Sequence, residues 1–184
     1  MKKVSVVLLV ALAAVVMAVV ACGSDTKPKD EQASDLLNRG LQAHVDGKLD
    51  EAAADYREVL KQDPQNKYAY YNLGVIDQAT QRASSAENNY RLALGIDPDY
   101  EPALYNLAIL RAQVGATLEA IDLYRHVLTV NDENANAHYN LGLLLRGAGD
   151  VAPGDAEVAR ARSLDPKLPP PPVVTPAAAT PSAG

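Results

Sequence analysis
Asparagine stands at residues 38, 72, 106 and 140, a constant 34 apart. A side-chain amide donates and accepts hydrogen bonds together, the chemistry needed to grip a peptide group. Tyr71, Tyr105 and Tyr139 precede three of these positions, each offering broad contact area and a polar tip. Groups for covalent or metal chemistry are sparse. Cys22 is the one cysteine, so the chain can form no intrachain disulfide. His44, His126 and His138 lack metal-ligand spacing. Gly147-Ala148-Gly149 falls at a turn and is no phosphate loop, and no Ser–His–acid set can be argued. The residue types point to non-covalent binding. Neither an enzyme nor a cofactor is expected.

The interval between the asparagines belongs to the whole chain. Asn72-Leu73-Gly74 returns as Asn106-Leu107-Ala108 and Asn140-Leu141-Gly142. Tyr56-Arg57 returns as Tyr90-Arg91 and Tyr124-Arg125, and Asp63-Pro64 as Asp97-Pro98 and Asp165-Pro166. A fixed period of this size marks a helical solenoid. The period divides the chain into four units, 33–66, 67–100, 101–134 and 135–168. Within each, apolar residues three and four apart predict two helices joined by a turn, with one buried stripe apiece. Pro64 ends a helix, because the residue before proline avoids the helical region. Pro102 lies in a first helical turn, where a missing N–H costs little. Ser84 and Glu87 predict a capping box opening the second helix of the second unit. Gly40, Gly74, Ala108 and Gly142 mark close approach between paired helices, answered by Ala52, Ala86 and Ala120. In the fourth unit Gly154, Val158 and Arg162 replace the usual Ala, Tyr and Leu. A terminal repeat needs a polar outer face, and this is expected to be that cap. His138 is expected in the core.

The ends differ in composition. Met1-Lys2-Lys3 and the apolar run Val4–Val20 form the n-region and h-region of an export signal. Val19-Val20-Ala21-Cys22 resembles a bacterial lipobox. The resemblance implies a signal peptide over 1–21, cleavage after Ala21 and a diacylglyceryl group on Cys22, hence a lipid-anchored envelope protein. Two acyl chains suffice for stable membrane attachment. Gly23 rather than Asp follows the cysteine, which by the sorting rule implies the outer membrane if the cell has one. Residues 22–32 are expected to be a solvated tether, and 169–184, rich in Pro and Ala, a disordered tail. The formal net charge is −6. Removal of 1–21 takes Lys2 and Lys3 away and makes it −8. Such acidity argues against nucleic acid.

The repeats resemble the tetratricopeptide repeat (TPR). Its pattern is met in the second unit by Tyr70, Leu73-Gly74, Ala86, Tyr90, Ala93 and Pro98, with Asp77 the single departure. Arg39 departs in the first unit and Asp132 in the third. The resemblance implies an all-α, right-handed superhelical TPR solenoid of four helix-turn-helix repeats, whose first helices line a concave groove. Carried over by position, that groove holds Asn38, Asn72, Asn106 and Asn140 beside Leu37, Tyr71, Tyr105 and Tyr139. Leu41, Val75, Ile109 and Leu143 are its aliphatic floor. A protein or peptide partner is expected there. The only cations are Arg146 and His44, so an acidic-tailed ligand is not. Asp77 and Arg111 are expected to pair between repeats. The function implied is a membrane-anchored adaptor or scaffold in envelope assembly or secretion, with a regulatory subunit of a cell-wall enzyme as the alternative. A monomer is expected.

Overall fold
The computed structural model describes residues 28–172. The lipobox at Cys22, the signal segment 1–21, the tether up to residue 27 and the tail from residue 173 lie outside them. Eight helices occur among the described residues: α1 Lys29–Val45, α2 Leu49–Gln62, α3 Lys67–Ala79, α4 Ala83–Ile96, α5 Glu101–Gln113, α6 Thr117–Val130, α7 Ala135–Gly147 and α8 Val151–Leu164. Each packs on its neighbours in chain order, giving four antiparallel pairs in an all-α solenoid. None of these helices is long and apolar enough to cross a membrane.

One turn is used four times to reverse the chain within a pair. Residues 47, 81, 115 and 149 occupy the same repeat position and all have positive φ, from 60° to 97°. The next N–H reaches back five residues, at 2.8 Å from Lys48 to the Ala43 carbonyl and 2.7 Å from Arg82 to that of Asp77. Ala116 to Arg111 and Asp150 to Leu145 do the same at 2.9 Å each. This Schellman-type closure satisfies a carbonyl the helix leaves free. Glycine fills the position in three repeats and Gln81 in the second.

A second turn joins one pair to the next. The side-chain oxygens of Asp63, Asp97, Asn131 and Asp165 accept from the N–H two residues on, at 3.0–3.2 Å. These Asx turns hold even at Asn131-Asp132, where the proline is missing, so the side-chain oxygen rather than the ring carries the bend. Asn66 and Asn134 then cap α3 and α7 through Ala69 and Ala137 N–H groups, at 3.0 and 2.8 Å.

Tyr56, Tyr90 and Tyr124 are the large residues of the core, all within 2% of full burial. The small residues of the facing helices make room for them. A Cβ on Gly74 would stand 2.5 Å from Tyr90 Cε1, and one on Gly40 2.7 Å from Tyr56 Cε1. The close approach read from the sequence is therefore filled by tyrosine rings.

The structure departs from the sequence reading at several points. Helix α1 starts at Lys29, inside the expected tether, because Asp30 and Glu31 in its first turn complement the helix dipole. Ser84 is no cap: α4 opens at Ala83, with Arg82 at the capping position and no side-chain bond there. Glu87 instead accepts from Arg91 Nε at 3.0 Å and Arg111 Nη1 at 2.9 Å, charge-assisted bonds stronger than a neutral cap. Asp77 and Arg111 do not pair. Asp77, a short side chain 7% exposed, is held by Arg82 Nε at 2.9 Å and Asn89 Nδ2 at 2.8 Å inside its own repeat. Arg111 Nε donates to Glu119 Oε2 at 2.7 Å, and Arg91 Nη2 to Glu119 Oε1 at 2.6 Å. Glu87, Arg91, Glu119 and Arg111 thus form a closed ring joining the second and third repeats.

The fourth repeat keeps its second helix, with Gly154, Val158 and Ala161 buried. Gly154 has a local cause. A Cβ there would meet Arg146 Cγ at 2.6 Å and the Gly142 carbonyl at 2.7 Å. The arginine stem crosses where the other repeats place an alanine methyl. His138 is half-buried between polar partners, Glu157 Oε2 at 2.5 Å and the Asp132 carbonyl at 2.9 Å, rather than in apolar packing.

Candidate peptide-binding groove
Helices α3, α5 and α7 are in phase, so residues 34 apart fall on one face. Their tyrosines and asparagines are bonded to each other across repeats. Asn106 Nδ2 donates to Tyr71 Oη at 3.3 Å, and Asn140 Nδ2 to Tyr105 Oη at 3.1 Å. Asn106 also faces the Tyr90 hydroxyl, and Asn140 that of Tyr124. One amide N–H is engaged in each case, while the amide oxygen and the tyrosine oxygens keep accepting capacity. Asn72 behaves differently. The preceding repeat offers Leu37 where a tyrosine would stand, and Asn72 Nδ2 turns to the Tyr68 carbonyl of its own helix at 2.8 Å. Asn38 is exposed.

The rings are set by one another. Tyr71 meets Tyr100 edge-on at 5.4 Å and lies 6.0 Å from Tyr90, and Tyr105 meets Tyr124 edge-on at 5.8 Å. Burial pushes the Tyr71 and Tyr105 hydroxyls above the ordinary tyrosine value, with Asn106 and Asn140 opposing it. Both remain neutral hydrogen-bonding groups at physiological pH.

Between α5, α6 and α7 the face sinks into a concavity of about 350 Å³, lined by Ile109, Gln113, Tyr124, Asn140, Leu143 and Leu144. The structure therefore brings together Ile109, Asn140 and Leu143, all expected in the groove. Val75 packs beside Tyr71 against the neighbouring core cluster. Tyr139 is half-buried on the last repeat. Tyr124 and Leu144 line the concavity although the sequence placed Tyr124 only in the core. The signal available was its hydroxyl, which a fully apolar core position would not use. The groove positions of the second to fourth repeats carry one charged side chain, Arg146, already paired with Asp155. Among the described residues no three His, Cys, Asp or Glu side chains gather as a metal site.

An α-solenoid with an uncharged, tyrosine-lined face is the class this architecture defines. A TPR repeat model matches residues 46–81 and a tetratricopeptide repeat model residues 68–100. Together the two models match residues 46–100, and the four stacked pairs extend the same tetratricopeptide-repeat fold over the other described helices. Solved structures share the fold. MamA is 21% identical with a TM-score of 0.67, over 73% of this chain and 79% of that one. YrrB, described as a TPR protein with an unusual peptide-binding site, is 17% identical with a TM-score of 0.66, over 76% of each chain. The first TPR of Spaghetti (RPAP3), bound to the HSP90 peptide SRMEEVD, is 24% identical with a TM-score of 0.61, over 65% of this chain and 94% of that one. No curated protein matches the sequence.

Proposed function
We propose that this chain is a lipid-anchored TPR scaffold that holds a peptide or partner segment along the face of α3, α5 and α7, in envelope assembly or secretion. The concavity beside the Tyr105–Asn140 bond carries the reading. It offers an apolar seat for one or two side chains next to amides able to bond a ligand's backbone. The peptide-binding relatives support the same use of the fold. The peptide held by Spaghetti is acidic. Here the groove positions named offer only Arg146, which is engaged by Asp155, so the favoured ligand is uncharged at its core. Anchoring rests on the lipobox at Cys22, which would moor the solenoid to the membrane on the non-cytoplasmic side.

The test is capture from detergent-solubilised membranes with the full chain and an Ile109→Glu/Leu143→Glu variant. Both side chains are half-exposed, so the helical circular dichroism is expected to survive. Recovery of the bound protein should drop at least tenfold. Equal recovery ends the groove assignment. For the anchor, Cys22→Ser should move the protein from the membrane to the soluble fraction, and mass spectrometry of the N-terminal peptide should show the acyl chains.

A further inference from the structure
The tyrosines of the groove recur at a fixed spacing, and the spacing selects a ligand. Tyr71 and Tyr105 each accept from an asparagine of the next repeat, at 3.3 and 3.1 Å. A phenol also donates, and neither hydroxyl has an acceptor for its proton among the described residues. Tyr139 holds the same position in the last repeat, with no asparagine 35 residues further on. The face of α3, α5 and α7 thus offers one O–H donor per repeat. The amide oxygens of Asn106 and Asn140 are acceptors beside the first two. Side chains of α3 and α5 meet directly, as do those of α5 and α7, so successive donors stand roughly 10 Å apart. A β-strand cannot use such a row, because residues three apart point to opposite faces. A polyproline II helix can. It turns once in three residues and rises about 9.3 Å per turn, so equivalent carbonyls return to one side at the spacing of the repeats.

We propose that the ligand of this groove is an uncharged, proline-rich segment of a partner protein in the polyproline II conformation, bonded every third residue by Tyr71, Tyr105 and Tyr139. This rests on the groove being a peptide-binding face. Three donors cover two turns of such a helix, about seven residues. Its carbonyls make no internal hydrogen bonds, so each one facing the row is free to accept. Helices of this kind dock on aromatic-lined grooves, being already ordered before they bind. The concavity lined by Ile109, Leu143 and Leu144 seats an apolar ring or methyl between the bonded residues. The molecule carries one example of the same chemistry on α7. Pro169–Pro172 follow the last helix, and the Pro172 carbonyl accepts from Arg146 Nη2 at 3.0 Å. Arg146 lies one helical turn beyond Leu143. A proline carbonyl is therefore already held by a side-chain donor at the edge of the groove.

The test titrates the detergent-solubilised full chain with a synthetic peptide, Ala-Pro-Pro repeated over twelve residues with both ends blocked, and reads methyl signals by NMR. Ile109, Leu143 and Leu144 should shift, while Leu92 and Leu118, exposed on the second helices, should not. One glycine inserted at the centre of the peptide should weaken binding at least fivefold, because the carbonyls on its two sides then fall out of phase. Tyr71→Phe and Tyr105→Phe keep the rings and remove the donors, and each should weaken binding at least threefold with the helical circular dichroism unchanged. No shift at millimolar peptide overturns the proposal. So does equal affinity for the interrupted peptide, indifference to both phenylalanine variants, or tighter binding of an uncharged Ser-Thr-Val peptide of the same length, which favours a β-strand. Partner capture that still depends on Ile109 and Leu143 would then leave the scaffold reading intact with a different ligand. Peptide binding with no groove-dependent partner in membranes would do the reverse.

Discussion

The first repeat places Leu37 where the second places Tyr71, and the polar wiring changes with it. At the junction of repeats two and three, Asn106 reaches back to Tyr71, Tyr100 stands edge-on to the same ring, and the Glu87–Arg91–Glu119–Arg111 ring closes over the outside. At the junction of repeats one and two, Asn72 bonds its own helix, and the buried Tyr56 hydroxyl has no partner. In its own repeat Tyr90 Oη donates to Gln78 Oε1 at 2.8 Å. The apolar packing is the same in both places, since Tyr56 and Tyr90 are equally buried. Burial sets the stack. The polar atoms decide how tightly successive repeats are registered.

The largest expected effect tests the shared part. Tyr56→Ala and Tyr90→Ala should each cost about 3–5 kcal/mol, the range for emptying an aromatic core position. Urea unfolding measures both. If one costs under half the other, burial is not the common foundation.

The next pair separates the two regions by sign. Tyr90→Phe leaves Gln78 without its donor and should lose about 1 kcal/mol. Tyr56→Phe removes an unpartnered buried hydroxyl and should gain about 1 kcal/mol. Equal signs would mean that the two hydroxyls share one environment. Alkaline titration gives an independent view of the buried rings. Burial raises the hydroxyl of Tyr56 to about 12, and that of Tyr90 further. The folded state therefore holds these protons more tightly than the unfolded chain. That stability is complete below about pH 10 and disappears as pH rises through 12.

The architecture was legible because each repeat states it again. The 34-residue interval, the apolar spacing and the Asp–Pro pairs specify helices, boundaries and stacking, and the fold needs nothing finer. That Ile109 and Leu143 share one face was legible for the same reason, since phase puts them 34 residues apart; that this face is a groove came from the family resemblance. Which polar atoms meet was not. Sequence phase puts Asp77 and Arg111 in equivalent positions, but an aspartate is too short to bypass Arg82 and Asn89 on its own repeat. Ser84 and Glu87 have capping spacing, yet Glu87 lies where two guanidiniums compete for it. Gly154 looks like loss of pattern until Arg146, eight residues earlier, is seen crossing it. In each case a side chain from another helix takes part, Asn89 at Asp77, Arg111 at Glu87 and Arg146 at Gly154, and spacing within one helix carries no record of that.

The charge ring is expected to contribute less than the core, because its members are partly exposed and screened. Glu119 is the member whose titration exposes it. Hydrogen bonding to Arg91 first, and to Arg111 after it, holds its carboxyl below the ordinary glutamate value of 4.5, against the opposing effect of burial. A lowered folded value means that this contribution is present above that pH and is lost as pH falls through the lowered one. Glu119→Gln should flatten stability against pH in that acid window and reduce its dependence on salt. Unchanged slopes would show that the ring is geometry without energy.

The smallest effect concerns the turn at residue 81, where the second repeat is the poorer one. Gln81 has φ of 60°, while Gly47, Gly115 and Gly149 hold the same position elsewhere. A side chain in the left-handed region crowds the backbone, and glycine removes that cost. Glycine also widens the unfolded ensemble, which offsets much of the gain. The balance favours Gln81→Gly by about 0.5 kcal/mol. The reverse change, Gly115→Gln, has no atom within 4 Å to meet its Cβ, so it isolates the same backbone term and should lose a similar amount. Differential scanning calorimetry of the two single variants and the double resolves it. Near-cancellation in the double would show that the turns are energetically interchangeable, as their common closure from Arg82 to Asp77 and from Ala116 to Arg111 requires.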